Sequence, residues 1–414
     1  MDNTTSCNAV GGYPIVGIDI GKNKHYAAVL SPNSKSTNGA NNTEIENTVS
    51  GRERFRSELR RLGRCIIAIE AVGGWASPLD YQLLDDGHKV FTIHPLRLAR
   101  TRELYGQPQK TDVKDAQFLA LLLKHAQEGI IPELAEKSIY EVLPMEPIYR
   151  QIKQFSRHYG RLSQDYTRTK NRLSQLLSCY NPGLREVFAS WDGKICLTLL
   201  SKAACPSQWK ELSTRTLVSW IKAACRTKER ARVKRLKKFV KKGNWQPLPE
   251  AVRIEVLHLA SQLLQLKSQK EDVLTKMEQL LKITPEGQAI VTIPGCNVVL
   301  GATLVGELMP INRFPSHNQV AMYVGMTRVK HESGVMKKSK SAFVVNKKAK
   351  WAFRQLTLLN RQHFTLSQGY CQKKEKEGKT RHRANLNLGR QLVKVVHAML
   401  KNKKPFDLAK VKEQ

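Results

Sequence analysis

Four acidic residues have the types and spacing of a metal-dependent phosphoryl-transfer site. Asp112 and Asp115 stand three positions apart in KTDVKDA, so a helix beginning there carries both carboxylates on one face. Asp19 lies in GIDIG and Glu70 ends CIIAIE, two short apolar segments typical of buried strands. Carboxylates brought together repel one another unless a divalent cation bridges them, and oxygen-only ligands favour Mg²⁺ or Mn²⁺. Two such ions can activate an attacking oxygen and stabilise a leaving one.

Single members of this set also have plain structural interpretations. An aspartate in a strand is often a turn residue, and Asp112 could serve only as the N-cap of its helix. Glu70 is less easily explained in this way, because it closes a buried strand and is followed by Ala-Val-Gly-Gly. The order D…E…DxxD on matching elements therefore favours one shared site.

The elements around these residues predict an α/β domain over residues 1–130. Short apolar segments and amphipathic ones follow in the order β-β-β-α-β-α-β-α-α. Three strands in succession, then alternating helices and strands, indicate a mixed sheet with helices on it, which is the ribonuclease-H-like order. The first strand is then central with the fourth beside it, so Asp19 and Glu70 can both point toward the helix that begins at Asp112. The predicted strands are 16–20, 25–30, 43–50, 65–70 and 89–93, and the predicted helices are 51–62, 75–84, 95–103 and 112–125.

The net charge of the 414-residue chain is +34, and it is unevenly distributed. Residues 1–130 hold 16 Lys and Arg against 14 Asp and Glu, whereas residues 131–414 hold 53 against 21. Such an excess repels itself in a compact fold unless a polyanion neutralises it. Nucleic acid is therefore the expected partner, a basic membrane-surface protein being the alternative.

Two heptad patterns predict a coiled-coil linker over residues 131–283. Apolar residues recur at spacings of three and four over 152–180 and again over 256–280. Thr169 and Lys270 are the polar positions of the two seams, and Lys270 could set their register. An ordinary pair of amphipathic helices is the alternative.

Between the two seams lies a basic insert, about residues 181–248. Ten of the 17 residues from 226 to 242 are Lys or Arg, and Glu229 is the one acidic residue among them. A charge run of this kind usually marks a solvated helix face. The density of a single sign favours contact with phosphates instead.

The last part, residues 284–414, is predicted to be a mainly helical domain that opens with a helix-hairpin-helix-like element. A Pro-Gly turn between two helices offers backbone N–H groups to a phosphate. Asn297 replaces the usual second glycine of such a hairpin, and Asn is the next best residue at positive φ. The uncharged stretch 287–306 is about as long as a membrane span, but Pro294 and Gly295 at its middle indicate two short helices.

The eight cysteines are scattered, and no pair has CxxC spacing. Zinc and a disulfide framework are therefore not expected, and a reducing cytoplasm fits this usage. The N-terminus lacks a basic n-region and an apolar h-region, so no signal peptide is predicted.

The first strand also resembles the phosphate loop of actin-like sugar kinases, in GIDIGKNKHYAAVL. Those enzymes need a second Asp-x-Gly loop after a later strand and a Gly-Gly adenosine motif. Neither occurs at the right place, and the charge of +34 argues against a sugar kinase.

Longer motifs resemble the DEDD recombinases of bacterial insertion sequences, the group that includes the pilin-gene inverting recombinase and the bridge-RNA-guided transposases. The resemblance spans nearly the whole chain, and KTDxxDA with the IPG–SG pair is its most specific part. The motifs are GIDIGKNKH, AIEAVGGWASPL, YGQPQKTDVKDAQFLA, IPGCNVVLGATLVGEL, FPSHNQVAMYVGMT, ESGVMKKSKS and LGRQLVKVVHAML.

This resemblance implies a RuvC-like domain, a coiled-coil linker and a C-terminal transposase domain. It implies Mg²⁺ (or Mn²⁺) bound by carboxylates, with DNA as substrate, a structured non-coding guide RNA, and a homo-oligomer, either a dimer or a tetramer. A bacterial cytoplasmic location follows from the same likeness. The implied metal-binding and catalytic carboxylates are Asp19, Glu70, Asp112 and Asp115.

In the family a serine of the C-terminal domain attacks DNA, and the resemblance implies Ser333 in HESG for this role. A hydroxyl nucleophile conserves the phosphodiester energy in a phosphoserine link, so strands can be rejoined without ATP. Ser333 could instead be a turn residue before Gly334, and Ser339 and Ser341 are nearby alternatives.

Two features depart from the family pattern. The family has Gly-x-Ile-Ser-Lys-x-Gly after the serine, whereas residues 344–349 here read VVNKKA, and the basic insert is longer than usual. Two other functions therefore stay open: a hydrolytic junction-resolving nuclease with the same carboxylates, and an inactive nucleic-acid-binding transposase relative.

Overall fold

A computed structural model divides the chain into two compact units, residues 1–144 and 145–414. The domain boundary placed after residue 130 from the sequence lies inside the first unit, because a strand at Ile139–Glu141 joins its sheet. The structure describes residues 12–31, 40–70, 77–93, 95–106, 111–131, 139–225, 229–333, 336–341 and 345–407.

The N-terminal unit contains a six-stranded mixed sheet in the order β3-β2-β1-β4-β5-β6. β1 pairs antiparallel with β2 and parallel with β4, so the predicted central position of the first strand is confirmed. The ribonuclease-H-like order is confirmed as well, and β6 is an edge strand that the sequence did not predict. The strands are β1 (Ile15–Ile20), β2 (Lys24–Leu30), β3 (Asn41–Glu46), β4 (Ile66–Glu70), β5 (Lys89–Ile93) and β6 (Ile139–Glu141).

Helices cover both faces of this sheet because alternate residues of its central strands are apolar on both sides. Val16 and Ile18 of β1 belong to a core with Phe55 of the first helix, while Ile15 belongs to a second core with Phe118 of the fourth. This alternation with a period of two explains why the central strands are apolar runs. The helices are α1 (Val49–Leu62), α2 (Ser77–Asp85), α3 (Pro95–Leu104) and α4 (Asp112–Gln127).

Gly17 lets α4 lie directly on β1. A Cβ atom at Gly17 would stand 2.0 Å from the carbonyl oxygen of Ala116 and 2.5 Å from the amide nitrogen of Ala120. Both are backbone atoms, so no rotamer change could relieve the clash. The missing side chain thus fixes the height of the helix that begins at Asp112 above the strand that carries Asp19.

The C-terminal unit is helical apart from one hairpin in its described residues. Its helices are α5 (Pro147–Tyr180), α6 (Lys194–Leu200), α7 (Pro206–Glu211), α8 (Thr214–Ala224), α9 (Glu229–Lys242), α10 (Glu250–Ile283), α11 (Pro285–Ile290), α12 (Val298–Leu308), α13 (His317–Tyr323), α14 (Lys347–His363), α15 (Thr365–Lys376) and α16 (Arg381–Asn402), and its strands are β7 (Arg328–Ser333) and β8 (Met336–Ser341).

The two heptad segments form the long helices α5 and α10, which pack antiparallel along each other. Near the start of α5, Tyr149 donates a hydrogen bond of 2.5 Å to Glu286, just beyond the end of α10. At Lys270 the ammonium nitrogen lies 5.1 Å and 5.0 Å from the ring centroids of Tyr159 and Tyr166. These cation–π contacts explain a lysine in the seam, whereas supercoiling of the pair stays a prediction.

Residues 181–248, called here the helical module, contain α6 to α9 at one end of the α5/α10 pair. Buried Trp209, Leu217 and Phe239 of the module share one core with Leu173 of α5 and Val256 of α10. The basic insert is therefore a folded extension of the long helices, because its apolar residues have no separate core.

The uncharged stretch at 287–306 forms α11, a turn and α12, which confirms two short helices. The expectation that Asn297 takes positive φ is wrong: its φ is −92°, and its side chain caps α12 by accepting from the Leu300 amide at 3.0 Å. The positive φ, 84°, belongs to Gly295, where a Cβ would stand 2.8 Å from the Asn360 amide nitrogen of α14. The turn is thus packed against α14, and phosphate binding by this element stays a prediction.

Within the described ranges, no helix combines the length and apolar character needed to cross a membrane. The cysteines in those ranges are free thiols.

We predict that Gly17→Ala destabilises the N-terminal unit by roughly 3 kcal/mol, because the new methyl group collides with the α4 backbone. Gly369→Ala is the matched control. Gly369 is exposed in α15 with open space around it, so the same substitution should stabilise its helix by about 0.5–1 kcal/mol. Thermal unfolding followed by circular dichroism measures both changes, and a neutral Gly17→Ala would contradict the prediction.

Candidate functional site

Asp19 and Glu70 end neighbouring parallel strands at the same edge of the sheet. The register pairs Ile18 of β1 with Ile69 of β4, so Asp19 and Glu70 are the next residues along their strands. Residues of the same parity, Ile15 and Ile66, belong to the core beneath α4. Because side chains alternate along a strand, both carboxylates lie on the α4 face.

Asp112 and Asp115 occupy the first turn of α4. Thr111 is the N-cap, and its hydroxyl oxygen accepts from the Lys114 amide at 3.3 Å. Asp112 is therefore not the cap of its helix, and that structural explanation for it is removed. Asp115 is buried and Asp112 is exposed, so the pair places one carboxylate inside the unit and one at its surface.

The pKa of Asp19 indicates that the other three carboxylates lie within electrostatic reach of it. Its pKa is raised from 3.8 to about 6, first by burial and then by the negative charges of Asp115, Asp112 and Glu70. Each of the three is thus close enough to disfavour ionisation of Asp19. The fold places Asp115, Asp112 and Glu70 within electrostatic reach of Asp19, whereas their convergence on one shared cation stays a prediction.

Arg102 of α3 is a member of this site that the sequence analysis missed. Its Nη1 atom lies 2.5 Å from Oδ1 of Asp115, as an ion pair outside hydrogen-bond geometry. Its guanidinium also stands 5.5 Å from the ring centroid of Phe118 on α4. No motif or spacing marks Arg102, because its helix is joined to α4 only through the fold.

The donor set fits a hard divalent cation in type, since it consists of carboxylate oxygens that repel one another. With the side chains in the conformations of this structure, no three Asp, Glu, His or Cys residues in the described ranges are grouped closely enough to hold an ion. Asp115 is engaged with Arg102. A cation that recruits Asp115 must therefore compete with the guanidinium for the charge of this carboxylate.

The implied nucleophile, Ser333, lies at the end of β7 in the C-terminal unit. It is paired with Met336, beside the connection between the strands, whereas Ser339 pairs with Lys330 and Ser341 pairs with Arg328. The side chains of both strands are outside the part of the chain that the structure describes, so the backbone register alone locates the three serines.

A partly buried polar cluster joins the two ends of the segment that contains this hairpin. Asn346, which caps α14, donates through Nδ2 to the Tyr323 hydroxyl at 2.7 Å and to Glu307 Oε2 at 2.9 Å. The backbone N–H of Asn346 also donates to the backbone carbonyl oxygen of Tyr323 at 2.8 Å. Residues 323 and 346 are therefore held together, and the hairpin is anchored at both ends.

Glu307 is the charged centre of this cluster, which is called here the hairpin anchor. It is fully buried on α12 and accepts from Arg157 of α5 at 2.6 Å and 3.0 Å. Burial opposes ionisation of Glu307, but hydrogen bonds from Arg157 and the nearby cations outweigh it and lower its pKa. Burial also lowers the pKa of neighbouring Lys153 to about 8. A lone acid in the apolar helix VVLGATLVGEL was the signal for this cluster, and the sequence analysis did not use it.

Comparison with known families gives two matches, both to transposases. A model of DEDD-type IS110 transposases matches residues 16–182, which include the four carboxylates. A model of the IS116/IS110/IS902 transposase family matches residues 287–370, which include Ser333. Together the two matches cover more than half of the chain.

Similar proteins occur in insertion elements of Streptomyces. The IS116 uncharacterized 44.8 kDa protein of Streptomyces clavuligerus is 24% identical over 397 residues, covering 94% of this chain and 95% of that protein. The IS110 uncharacterized 43.6 kDa protein of Streptomyces coelicolor is 24% identical over 396 residues, covering 94% of each. Among solved structures, T. thermophilus RuvC in complex with a Holliday junction substrate matches with a TM-score of 0.22 at 15% identity, over 29% of this chain and 96% of that one.

We predict that Asp19→Asn raises the thermal stability of the metal-free protein at neutral pH, because it removes a buried negative charge that three others repel. The pKa of Asp19 is raised on folding, so its ionisation costs stability as the pH rises through about 6. The advantage of the variant should accordingly grow between about pH 4 and pH 7. Unfolding curves in EDTA at several pH values measure it.

Adding Mg²⁺ or Mn²⁺ should stabilise the wild type much more than Asp19→Asn, since a bound ion favours the folded state. Glu58→Gln removes an exposed carboxylate of α1 and serves as the control, which should respond to the ions like the wild type. An equal gain in melting temperature for wild type and Asp19→Asn would argue against the metal site.

We predict that Glu307→Gln costs about 3 kcal/mol of stability, because Arg157 and Lys153 lose the carboxylate they share. The pKa of Glu307 is lowered on folding, so its contribution is present above about pH 4.5 and is lost as the pH falls. The deficit of the variant should therefore shrink in acid. Glu278→Gln, which removes an exposed pair with Lys282, should cost less than about 0.5 kcal/mol; denaturant titrations compare the two.

Proposed function

Because this chain belongs to the IS110/IS116/IS902 transposase family, we propose that it is a recombinase that cuts and rejoins DNA through a carboxylate-bound metal site and a serine nucleophile. The observation that carries the proposal is the rise in the pKa of Asp19 caused by burial and by three further carboxylates at the end of β1. A charge cluster of this kind is costly in a protein without a cation to bind. A ribonuclease-H-like sheet bearing it is suited to phosphoryl transfer.

Asp19, Glu70, Asp112 and Asp115 are the residues proposed to hold one or two Mg²⁺ or Mn²⁺ ions. When bound, the ions supply positive charge that activates an attacking oxygen and stabilises a leaving one. The chain's own residues set where that charge can sit. The positions of Asp19 and Glu70 are fixed by the strand register. In the metal-free protein, the charge of Asp115 is neutralised by its ion pair with Arg102.

Ser333 is the proposed nucleophile. Its hydroxyl oxygen forms a bond to a backbone phosphorus as the bond from that phosphorus to a DNA oxygen breaks, and the serine proton passes to solvent or to the leaving oxygen. A hydroxyl of the second DNA strand then attacks the phosphoserine and releases the serine. One ester bond is exchanged for another in each step, so no ATP is needed.

Asn346 and Glu307 are proposed as positioning residues for this step. They join the two ends of the segment that carries the hairpin. Preorganisation of a nucleophile matters because a displacement of about 1 Å can cost on the order of 100-fold in rate. Where the family has Gly-x-Ile-Ser-Lys-x-Gly, this chain has VVNKKA, and Asn346 in this stretch makes the contacts with Glu307 and Tyr323.

A structured guide RNA and assembly into a homodimer or homotetramer are parts of the same proposal. The net charge of +34 supports nucleic-acid partners. The carboxylates and the serine belong to different compact units. The reaction therefore requires the two units to meet, within one chain or between neighbouring chains.

We predict a covalent DNA adduct on Ser333 when the protein is incubated with Mg²⁺, a duplex carrying the element ends and any cognate RNA. A denaturing gel followed by peptide mapping detects it. Ser333→Ala should abolish the adduct and Asp19→Asn should reduce it at least 100-fold, whereas Ser339→Ala and Ser341→Ala should retain it.

Each other outcome favours a different interpretation. An adduct mapped to Ser339 or Ser341 would move the nucleophile along the hairpin. Metal-dependent cutting without an adduct, equal in Ser333→Ala, would favour the hydrolytic nuclease. Binding without any cutting, under conditions where the metal stabilises the protein, would favour an inactive transposase relative.

A further inference from the structure

The helical module carries a basic groove between α8 and α9 that the proposed reaction does not use. Four side chains of α9 stand at spacings of four, three and four residues and are exposed, so they form one stripe along the helix. Val233, Leu236 and Phe239 occupy the opposite, buried face. The stripe is about 16 Å long at 1.5 Å per residue. Its members are Arg230, Lys234, Lys237 and Lys241.

The groove has a volume of about 610 Å³, with the first turn of α8 as its second wall. Thr214, Arg215 and Val218 line it from α8, and Lys237 donates to the Thr214 hydroxyl at 2.7 Å. None of the residues that line it is acidic. Four cationic side chains thus converge on one space from two helices.

Glu186, an acidic residue of the same module, interacts with residues outside the groove. Glu186 accepts from Lys242 at 3.0 Å and from Asn244 at 2.6 Å, and its carbonyl oxygen accepts from Arg235. Within the described residues, no carboxylate pairs with the groove cations Arg215, Arg230 or Lys234. Like charges held together in this way repel one another until an anion neutralises them.

The lining chemistry points to the backbone of duplex DNA. No aromatic side chain lines the groove, so it lacks the stacking surfaces that bind single strands. It also lacks the Asn and Gln side chains that read adenine edges, and its one hydroxyl, on Thr214, already accepts from Lys237. Cations alone neutralise phosphates without regard to sequence.

We propose that the α8/α9 groove is a sequence-independent binding site for the backbone of duplex DNA, separate from the carboxylate site. The choice of a DNA partner rests on the proposed function, but the binding itself requires neither metal nor serine. The groove adds affinity to DNA of any sequence that flanks the reacting strands, and it accounts for a basic insert longer than the family pattern.

The test compares two triple variants that each lower the net charge by three. Arg230→Gln/Lys234→Gln/Lys237→Gln removes the three groove charges of α9 and leaves Arg215 of α8. Its matched control, Lys210→Gln/Lys222→Gln/Lys276→Gln, neutralises exposed lysines outside it. Affinity for a random-sequence duplex of about 40 base pairs is measured against salt concentration in EDTA, with Ser333→Ala as the parent so that chemistry cannot interfere.

The groove variant should flatten the slope of log K against log salt by about 0.9 for each phosphate that the protein no longer neutralises, up to about 2.7 in all, and the control by less than about 1. Arg215→Gln on α8 should add up to about 0.9 independently, which guards against a local folding defect in α9. Equal slopes for the two triple variants would overturn the proposal. So would weakened binding confined to duplex RNA or to single-stranded DNA of equal length.

The outcome is separable from that of the reaction proposed above. A flattened slope with no serine adduct in the wild-type enzyme would leave the groove standing and remove the recombinase mechanism. Normal adduct formation with equal slopes would do the reverse.

Discussion

The contact between Gly17 and the backbone of α4 is the constraint on which the carboxylate cluster depends. It leaves no room for a side chain between strand and helix, so the first turn of α4 is fixed relative to the end of β1. Asp112 and Asp115 then meet Asp19 at a height set by backbone atoms rather than by adaptable side chains. Because the four negative charges repel one another, a less rigid support would let them separate, and the favourable packing of the two cores opposes that separation.

The net charge differs between the two folded units of the chain. The unit that carries the carboxylates is nearly neutral, and within it Arg102 pairs with Asp115. The helical remainder holds nearly all of the positive excess, and among its described residues the buried acids Glu286 and Glu307 both have hydrogen-bond partners. Such a division lets a polyanion be attracted by one part of the chain while a small, hard cation is selected by another.

Local pattern was sufficient to predict the sheet from β1 to β5 and the two long helices, because apolar periodicity reports directly on which face of an element is buried. It also identified the three acidic residues that raise the pKa of Asp19, whereas their sharing of a cation stays a prediction. Arg102 was missed because its link to Asp115 depends on how α3 packs, which no spacing records. Asn297 was assigned the wrong role because an Asn beside a Gly suits both a positive φ and a helix cap, and only the packing of Gly295 against α14 separates the two. The short strand β6 has too few residues to show alternation.

The antiparallel pair of α5 and α10 has a geometric consequence for any DNA that the chain engages. Each helix has 34 residues and is therefore about 50 Å long. The helical module packs at one end and the Tyr149–Glu286 hydrogen bond closes the other. A span of about 50 Å corresponds to roughly 15 base pairs of duplex at 3.4 Å each. The pair thus sets a fixed distance between the helical module and the Tyr149–Glu286 end, and a change in its length that moved Lys270 from between its two tyrosines would lose both cation–π contacts.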